Sequence, residues 1–421
     1  MVTATDTHRS IDAVWRIESP RLIAALTRIV RDVGLAEDLA QDALVAALEQ
    51  WPKSGVPDNP GAWLMAAAKN RAIDYFRRNS LLDRKHEELG RELEKKEMTV
   101  PDFAAALDDN FGDDLLRLVF ISCHPALPTD ARVALTLRLI GGLTTEEIAR
   151  AFLVPEPTVA QRIVRSKRTL AEKQVPFEVP RGAELNARLS SVLEVIYLIF
   201  NEGYSATAGD DWMRPALCEE ALRLGRILAE LAPHEPEVHG LAALMEIQAS
   251  RSKARTTPLG EPILLLDQNR ANWDQLLIRR GFAELARAAK LDSAPGPYVL
   301  QAEIAACHAR ARTPQETDWP RIVVLYGRLA QLMPSPVVEL NRAVAVGMAS
   351  GPAAGLELVD ALTMKRSLEN YHLLPSVRGD LLKKLSRFDE ARAEFERAAS
   401  LTRNARERQL LLARAQSCQK A

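Results

Sequence analysis

The chain has 421 residues, enough for two or three domains, and sets 55 lysines and arginines against 56 aspartates and glutamates. A net charge of −1 gives no polycation character, so any nucleic-acid contact must rest on local charge. Four cysteines, Cys123, Cys218, Cys307 and Cys418, stand far apart without a CxxC pair. That spacing argues against a zinc site or a disulfide framework and for a reducing compartment.

The opening stretch MVTATDTHRSIDAVWRIE has no apolar signal core, and SVLEVIYLIF is too short to span a bilayer. The expectation is a cytoplasmic protein with no membrane partner. Helical periodicity runs throughout and β-branched alternation is scarce, which predicts an all-α fold.

Residues 10–80 form the first expected unit. LIAALTRIVRDVG reads as an amphipathic helix ending at Gly34. AEDLAQDALVAALEQW follows, with Leu39, Ala43, Leu44, Ala47 and Leu48 on one face and Glu37, Asp38, Gln41, Asp42 and Glu49 on the other. Pro52, Gly55, Pro57, Pro60 and Gly61 predict a loop over 52–61, after which AWLMAAAKNRAIDYFRR resumes the helix. That helix gathers Lys69, Arg71, Arg77 and Arg78 around Asp74, with Trp63, Tyr75 and Phe76 interleaved and Trp63 expected in the core. The charged stretch 81–112 reads as a linker.

Residues 113–175 form a second unit of roughly four helices. Thr144 and Glu147 have the spacing of a capping box at the start of LTTEEIARAF. After the turn-like LVPEP, TVAQRIVRSKRTLAEK follows. A DNA-reading helix-turn-helix needs a small residue at the helix crossing, here Ala149, and apolar residues to hold the angle, here Ile148, Val154, Val159 and Ile163. Its second helix must offer polar side chains to base edges and phosphates. Thr158, Gln161, Arg162, Arg165, Lys167, Arg168 and Lys173 do so, opposed by Glu172. Arginine suits guanine and glutamine suits adenine in the major groove. Leu153 occupies the turn position where glycine is common, which raises the question of its backbone geometry.

Residues 181–421 read as helical hairpins with irregular insertions at 253–275 and 311–320. In the last hairpin, Gly379, Leu382, Ala391, Phe395 and Ala398 fall at the positions of a tetratricopeptide (TPR) unit. Ala221, Leu228 and Pro233, then Tyr326, Leu329 and Pro334, fit the same template more loosely. The polar clusters Asn201, Glu202, Tyr204 and Asp267, Arg270, Trp273 either line a ligand pocket or form a buried hydrogen-bond network. Cys123–His124, His234 and His239 lack a ligand cluster and are expected to be structural, with no metal or cofactor. No phosphate loop or nucleophile elbow is present, so no enzyme is expected.

AEDLAQDALVAAL, WLMAAAKNRAIDYFRR and the 143–170 hairpin, in that order, resemble a bacterial RNA polymerase sigma factor of the extracytoplasmic-function (ECF) type. VFISCHPAL, YLIFNEGYSA and ILLLDQNRANWD resemble the subgroup with a C-terminal TPR-like extension. The resemblance implies partners: core RNA polymerase, through its β′ clamp helices and β flap, and promoter DNA. It implies that Asp38, Gln41 and Asp42 face the clamp helices. It assigns the −10 element to loop 52–61 and Asn70, Arg71, Asp74, Arg77 and Arg78, with one base flipped out of the stack. Thr158, Gln161, Arg162, Arg165, Lys167 and Arg168 would meet the −35 duplex. The extension would regulate these units, through intramolecular contact among other routes. The rival reading is a helix-turn-helix regulator with a TPR-like sensor that binds DNA without polymerase.

Overall fold

Short apolar stripes at helical spacing fold into eighteen α-helices among the described residues, which are 4–87, 111–291, 293–364 and 368–419 of a computed structural model. The chain divides into two compact units, one reaching to Val195 and the other beginning at Ile196.

The first unit opens with α1 (Ala4–Val30), α2 (Val33–Ser54) and α3 (Pro60–Glu87). Small residues on α2, Ala36, Ala40, Ala43 and Ala47, are buried and let its backbone approach α1, whose Leu22, Ile23 and Leu26 are buried in turn. Two expected boundaries move. The first helix ends at Val30 rather than Gly34, because Arg31 takes a left-handed φ of 56° and Asp32 then caps α2 by accepting from the Leu35 N–H at 2.8 Å. The loop shortens to residues 55–59, since Pro52 fits within the last turn of α2 and Pro60 opens α3. Trp51 is fully buried, with half-buried Trp63 edge-on to it at 5.3 Å. Residues 88–110, most of the expected linker, lie outside the described residues.

Next come α4 (Phe111–Ser122), α5 (Thr129–Leu139), α6 (Thr145–Phe152) and α7 (Glu156–Glu172). Leu118, Phe120, Leu135, Leu137 and Leu139 form their buried floor. The first unit continues past residue 175 into the start of α8 (Ala183–Tyr204). Arg188 donates to the Phe120 carbonyl at 3.0 Å and the Ser191 hydroxyl to the Cys123 carbonyl at 2.6 Å.

The second unit contains α9 (Pro215–Leu231), α10 (Pro236–Ala249), α11 (Gln275–Lys290), α12 (Pro297–Arg310), α13 (Trp319–Leu332), α14 (Pro336–Ser350), α15 (Pro352–Met364), α16 (Leu373–Lys384), α17 (Phe388–Leu401) and α18 (Ala405–Ser417). Each helix from α9 to α18 packs against the next. Proline opens α9, α10, α12 and α14, where its missing N–H costs no hydrogen bond. In the last hairpins Leu382, Ala391, Phe395 and Ala398 are buried, and a Cβ on Gly379 would lie 3.0 Å from the Phe395 ring. A two-residue parallel pairing, β1 (Ala208–Gly209) with β2 (Arg403–Asn404), ties the loop after α8 to the start of α18. The buried Asn404 amide secures it, donating to the Ala206 and Asp211 carbonyls at 3.1 and 2.8 Å.

Candidate nucleic-acid interface

The 143–170 segment forms its hairpin through local chemistry. Thr144 accepts from the Glu147 N–H at 3.1 Å, and the Glu147 carboxylate accepts from the Thr144 N–H at 2.8 Å, closing the expected capping box. Leu153 does adopt the conformation usually given to glycine, φ 51° and ψ 42°, and the Val154 N–H then closes on the Ala149 carbonyl. Ile148, Ala149, Val159 and Ile163 are buried at the crossing, while Val154 is half-buried.

The remaining face of α7 carries the candidate DNA-contacting groups, which differ in availability. Gln161 and Arg165 are exposed and Thr158 is half-buried near the helix start. Arg168 is exposed and pairs with Glu172 at 2.6 Å on its own helix, while Arg162 reaches Asp130 at 2.9 Å. Lys167 points elsewhere. Its ammonium lies 2.5 Å from the Glu37 carboxylate on α2, leaving the side chain 18% exposed.

Glu37 is where the sequence reading needs correction. The helical wheel sets it on the solvated acidic face, yet it is 3% exposed. Arg138 from α5 donates to it at 2.7 Å and Gln41 at 2.6 Å, beside Lys167 from α7. Burial pushes the carboxyl pKa up, but Lys167 and Arg138 outweigh it and hold the group below its ordinary value. Two further ion pairs brace the same unit. Arg28 meets Asp114 at 2.9 Å, and Arg16 meets Glu147 at 2.6 Å.

Asp38 and Asp42 on α2 stay exposed. Asp38 lies 4.0 Å from Lys167 and Asp42 lies 3.6 Å from Arg71. On α3, Asn70, Arg71, Asp74 and Arg77 are exposed, and the side chain of Arg78 lies outside the described residues. Asn59 caps α3 by accepting from the Ala62 N–H at 3.1 Å. Beside that cap, Glu18, Arg21, Asn59, Met65 and Lys69 line a cleft of about 540 Å³.

The two C-terminal polar clusters meet only in part. Tyr204, Arg270 and Trp273 join one aromatic–arginine assembly through Arg251, which sequence reading missed. Glu202 is drawn aside to Arg214 and the Thr207 hydroxyl, Asn201 bonds Tyr197, and Asp267 is exposed. His239 is held between Glu284 at 2.7 Å and the Pro233 carbonyl at 2.9 Å. Among the described residues no three potential ligands gather around a metal position.

Comparison with known proteins places these elements in context. Family models for sigma-70 region 2 and sigma-70 region 4 match residues 15–81 and 117–170, and a family of unknown function, DUF6596, matches 188–289. An uncharacterized protein of Rhizobium meliloti is 44% identical over 399 residues, 94% of this chain and 93% of its own length. A probable ECF RNA polymerase sigma factor, SigI, of Mycobacterium tuberculosis is 26% identical over 172 residues, 41% of this chain and 58% of its own. The RNA polymerase sigma-H factor of Pseudomonas aeruginosa is 26% identical over 180 residues, 40% of this chain and 88% of its own.

Proposed function

The chain belongs to the extracytoplasmic-function sigma-70 factors, and from that premise we propose how its two promoter-binding regions divide their work. Asp38, Gln41 and Asp42 meet the clamp helices of core RNA polymerase. An acidic face has no use for DNA, and a protein partner explains why one sits beside the basic helix α3. Asn70, Arg71, Asp74, Arg77 and Arg78 engage the −10 element, and the cleft beside Asn59 takes a base turned out of the stack. Thr158, Gln161, Arg162, Arg165 and Arg168 read the −35 duplex, and Lys167 joins them once it leaves Glu37. The C-terminal extension regulates this activity.

The observation that carries the reading is the exposed polar face of α7 behind a capped, tightly turned hairpin. The first test is capture of purified core polymerase by the full chain, beside a D38A/D42A variant of unchanged helicity. Loss of capture supports the clamp contact. Undiminished capture by the variant would refute the clamp contact at these residues, and no capture by the full chain together with tight duplex binding would favour the polymerase-independent regulator. The regulatory role is read by promoter-dependent transcription with the full chain and with a truncation after Val195. That boundary keeps the Arg188 and Ser191 contacts that a cut at residue 176 would remove. Equal transcription by both forms would refute it.

A further inference from the structure

The second unit buries three arginines close to one another. Arg251 and Arg255 flank the single helical turn Ser252–Ala254, and Arg270 opens the turn Arg270–Asn272. They are 8%, 6% and 9% exposed. Rings cover their faces. The Arg255 guanidinium carbon lies 3.4 Å from the centre of Tyr204 and 5.8 Å from that of Trp212. Arg251 lies 5.6 Å from Tyr204 and 5.8 Å from Trp273, and Arg270 lies 5.0 Å from Trp273.

Carboxylates do not neutralise them. Among the described residues none of the three forms an ion pair, and three acids on neighbouring segments are committed elsewhere. Glu202 pairs with Arg214, Glu246 pairs with Arg226, and Asp274 caps α11. Glu316 lies close enough to favour the Arg270 charge, but its carboxylate accepts from the Arg312 N–H at 3.0 Å. Arg270 spends three bonds on the His308 and Ala311 carbonyls and the Thr317 hydroxyl, so it serves the frame. Arg251 Nε and Arg255 Nη1 remain buried without an acceptor, as do the indole N–H groups of Trp212 and Trp273. Burial, with the Arg251 and Arg270 charges, pushes the His308 pKa down to about 3, so this neighbour is neutral.

A buried cation without a counter-charge is costly, and a cluster of them is more so. A ring stacked on a guanidinium satisfies its face and leaves the in-plane fork of N–H groups free, which is the geometry that takes an oxyanion bidentately. We propose that Arg251 and Arg255, with the Trp212 and Trp273 indoles as neutral donors, form a binding site for a small ligand carrying a compact dianionic group, phosphoryl or dicarboxylate. The proposal does not depend on the promoter reading.

The test uses the full chain in chloride buffer at neutral pH. Inorganic phosphate, malonate and sodium chloride of matched ionic strength are titrated separately, with thermal unfolding and tryptophan fluorescence as readouts. At least one dianion should raise the unfolding temperature and change the fluorescence where chloride does neither. Phosphate alone would assign a phosphoryl ligand, malonate alone a carboxylate ligand, and both a dianion of either kind. R251M should weaken the response roughly tenfold or more. R255K keeps the charge but loses the fork, and should bind less tightly than the parent if R251M does not fold. No dianion effect beyond chloride, or a wild-type response in folded R251M or in R255K, would overturn the site.

Discussion

Replacing Glu37 by glutamine tests whether the α2–α5–α7 clasp holds the first unit together. The substitution keeps shape and removes one charge facing Arg138 and Lys167. Breaking a buried ion pair from one side costs about 3–5 kcal/mol, mostly from the charge left behind. Here both cations keep partial contact with solvent, and the amide oxygen can still accept from Arg138, so roughly 2 kcal/mol is expected after screening. For a unit of this size that corresponds to a fall in Tm of about 4–8 °C. Urea denaturation of the full chain, followed by helicity, measures it, with D38N as an exposed control. The pH profile adds a second reading. The folded Glu37 carboxyl titrates below its ordinary value. Its stabilisation is therefore complete above the unfolded pKa and fades as pH falls through the folded one. Glu37→Gln should flatten that acid limb. It should also free Lys167 for phosphate and steepen the salt dependence of DNA binding by about one unit of slope. An unchanged denaturation midpoint would refute the clasp.

Arg165→Ala should lower affinity for promoter duplex by about 1–3 kcal/mol without loss of stability, as read by anisotropy. An unaltered affinity would remove Arg165 from the interface. Leu153→Gly should stabilise the hairpin by up to about 1 kcal/mol, since it relieves a left-handed conformation at an exposed side chain. Destabilisation would show that the leucine packs usefully. Burial pushes Cys123 up to about 11 and Cys218 to about 12, so neither thiol should react with a disulfide reagent near pH 8 until the chain is denatured. Rapid native labelling would contradict their placement.

The elements that were legible in the sequence are those specified by neighbours. The capping pair Thr144 and Glu147, the small Ala149 at the crossing and the apolar spacing of the last hairpin are all fixed within a few residues of chain. Helix ends were less legible where two local signals compete. Gly34 reads as a stop, but Asp32 is the better cap, and the helix break falls before it. Glu37 was illegible for a different reason. Its burial depends on Arg138 and Lys167, more than a hundred residues away, which no helical wheel contains. Arg251 and Arg255 escaped the sequence reading for the same reason, since the rings that cover Arg255, Tyr204 and Trp212, lie outside its local stretch of chain.

Charge explains why these misses matter most for function. With 55 basic and 56 acidic residues, the whole chain is silent about nucleic acid, and even the basic stripe of α7 overstates what is available. Arg162 and Lys167 are committed to acids on α5 and α2. Gln161 and Arg165 are exposed. A cation already paired adds to DNA affinity only the difference between a phosphate and its present carboxylate, whereas an exposed one adds its full interaction. Glu37, which holds Lys167 at 2.5 Å, lies on the same helix as Asp38 and Asp42. A partner that engages those two residues therefore acts directly on the helix that restrains Lys167, one of the residues proposed to meet the −35 duplex, so polymerase binding and duplex reading are expected to favour one another. Reciprocity makes this measurable from either side, since promoter duplex should tighten polymerase capture by the same factor that polymerase tightens duplex binding. Glu37→Gln should shrink that factor by releasing Lys167 in advance. A coupling factor unchanged by the substitution would mean that the clasp holds the fold and plays no part in recognition.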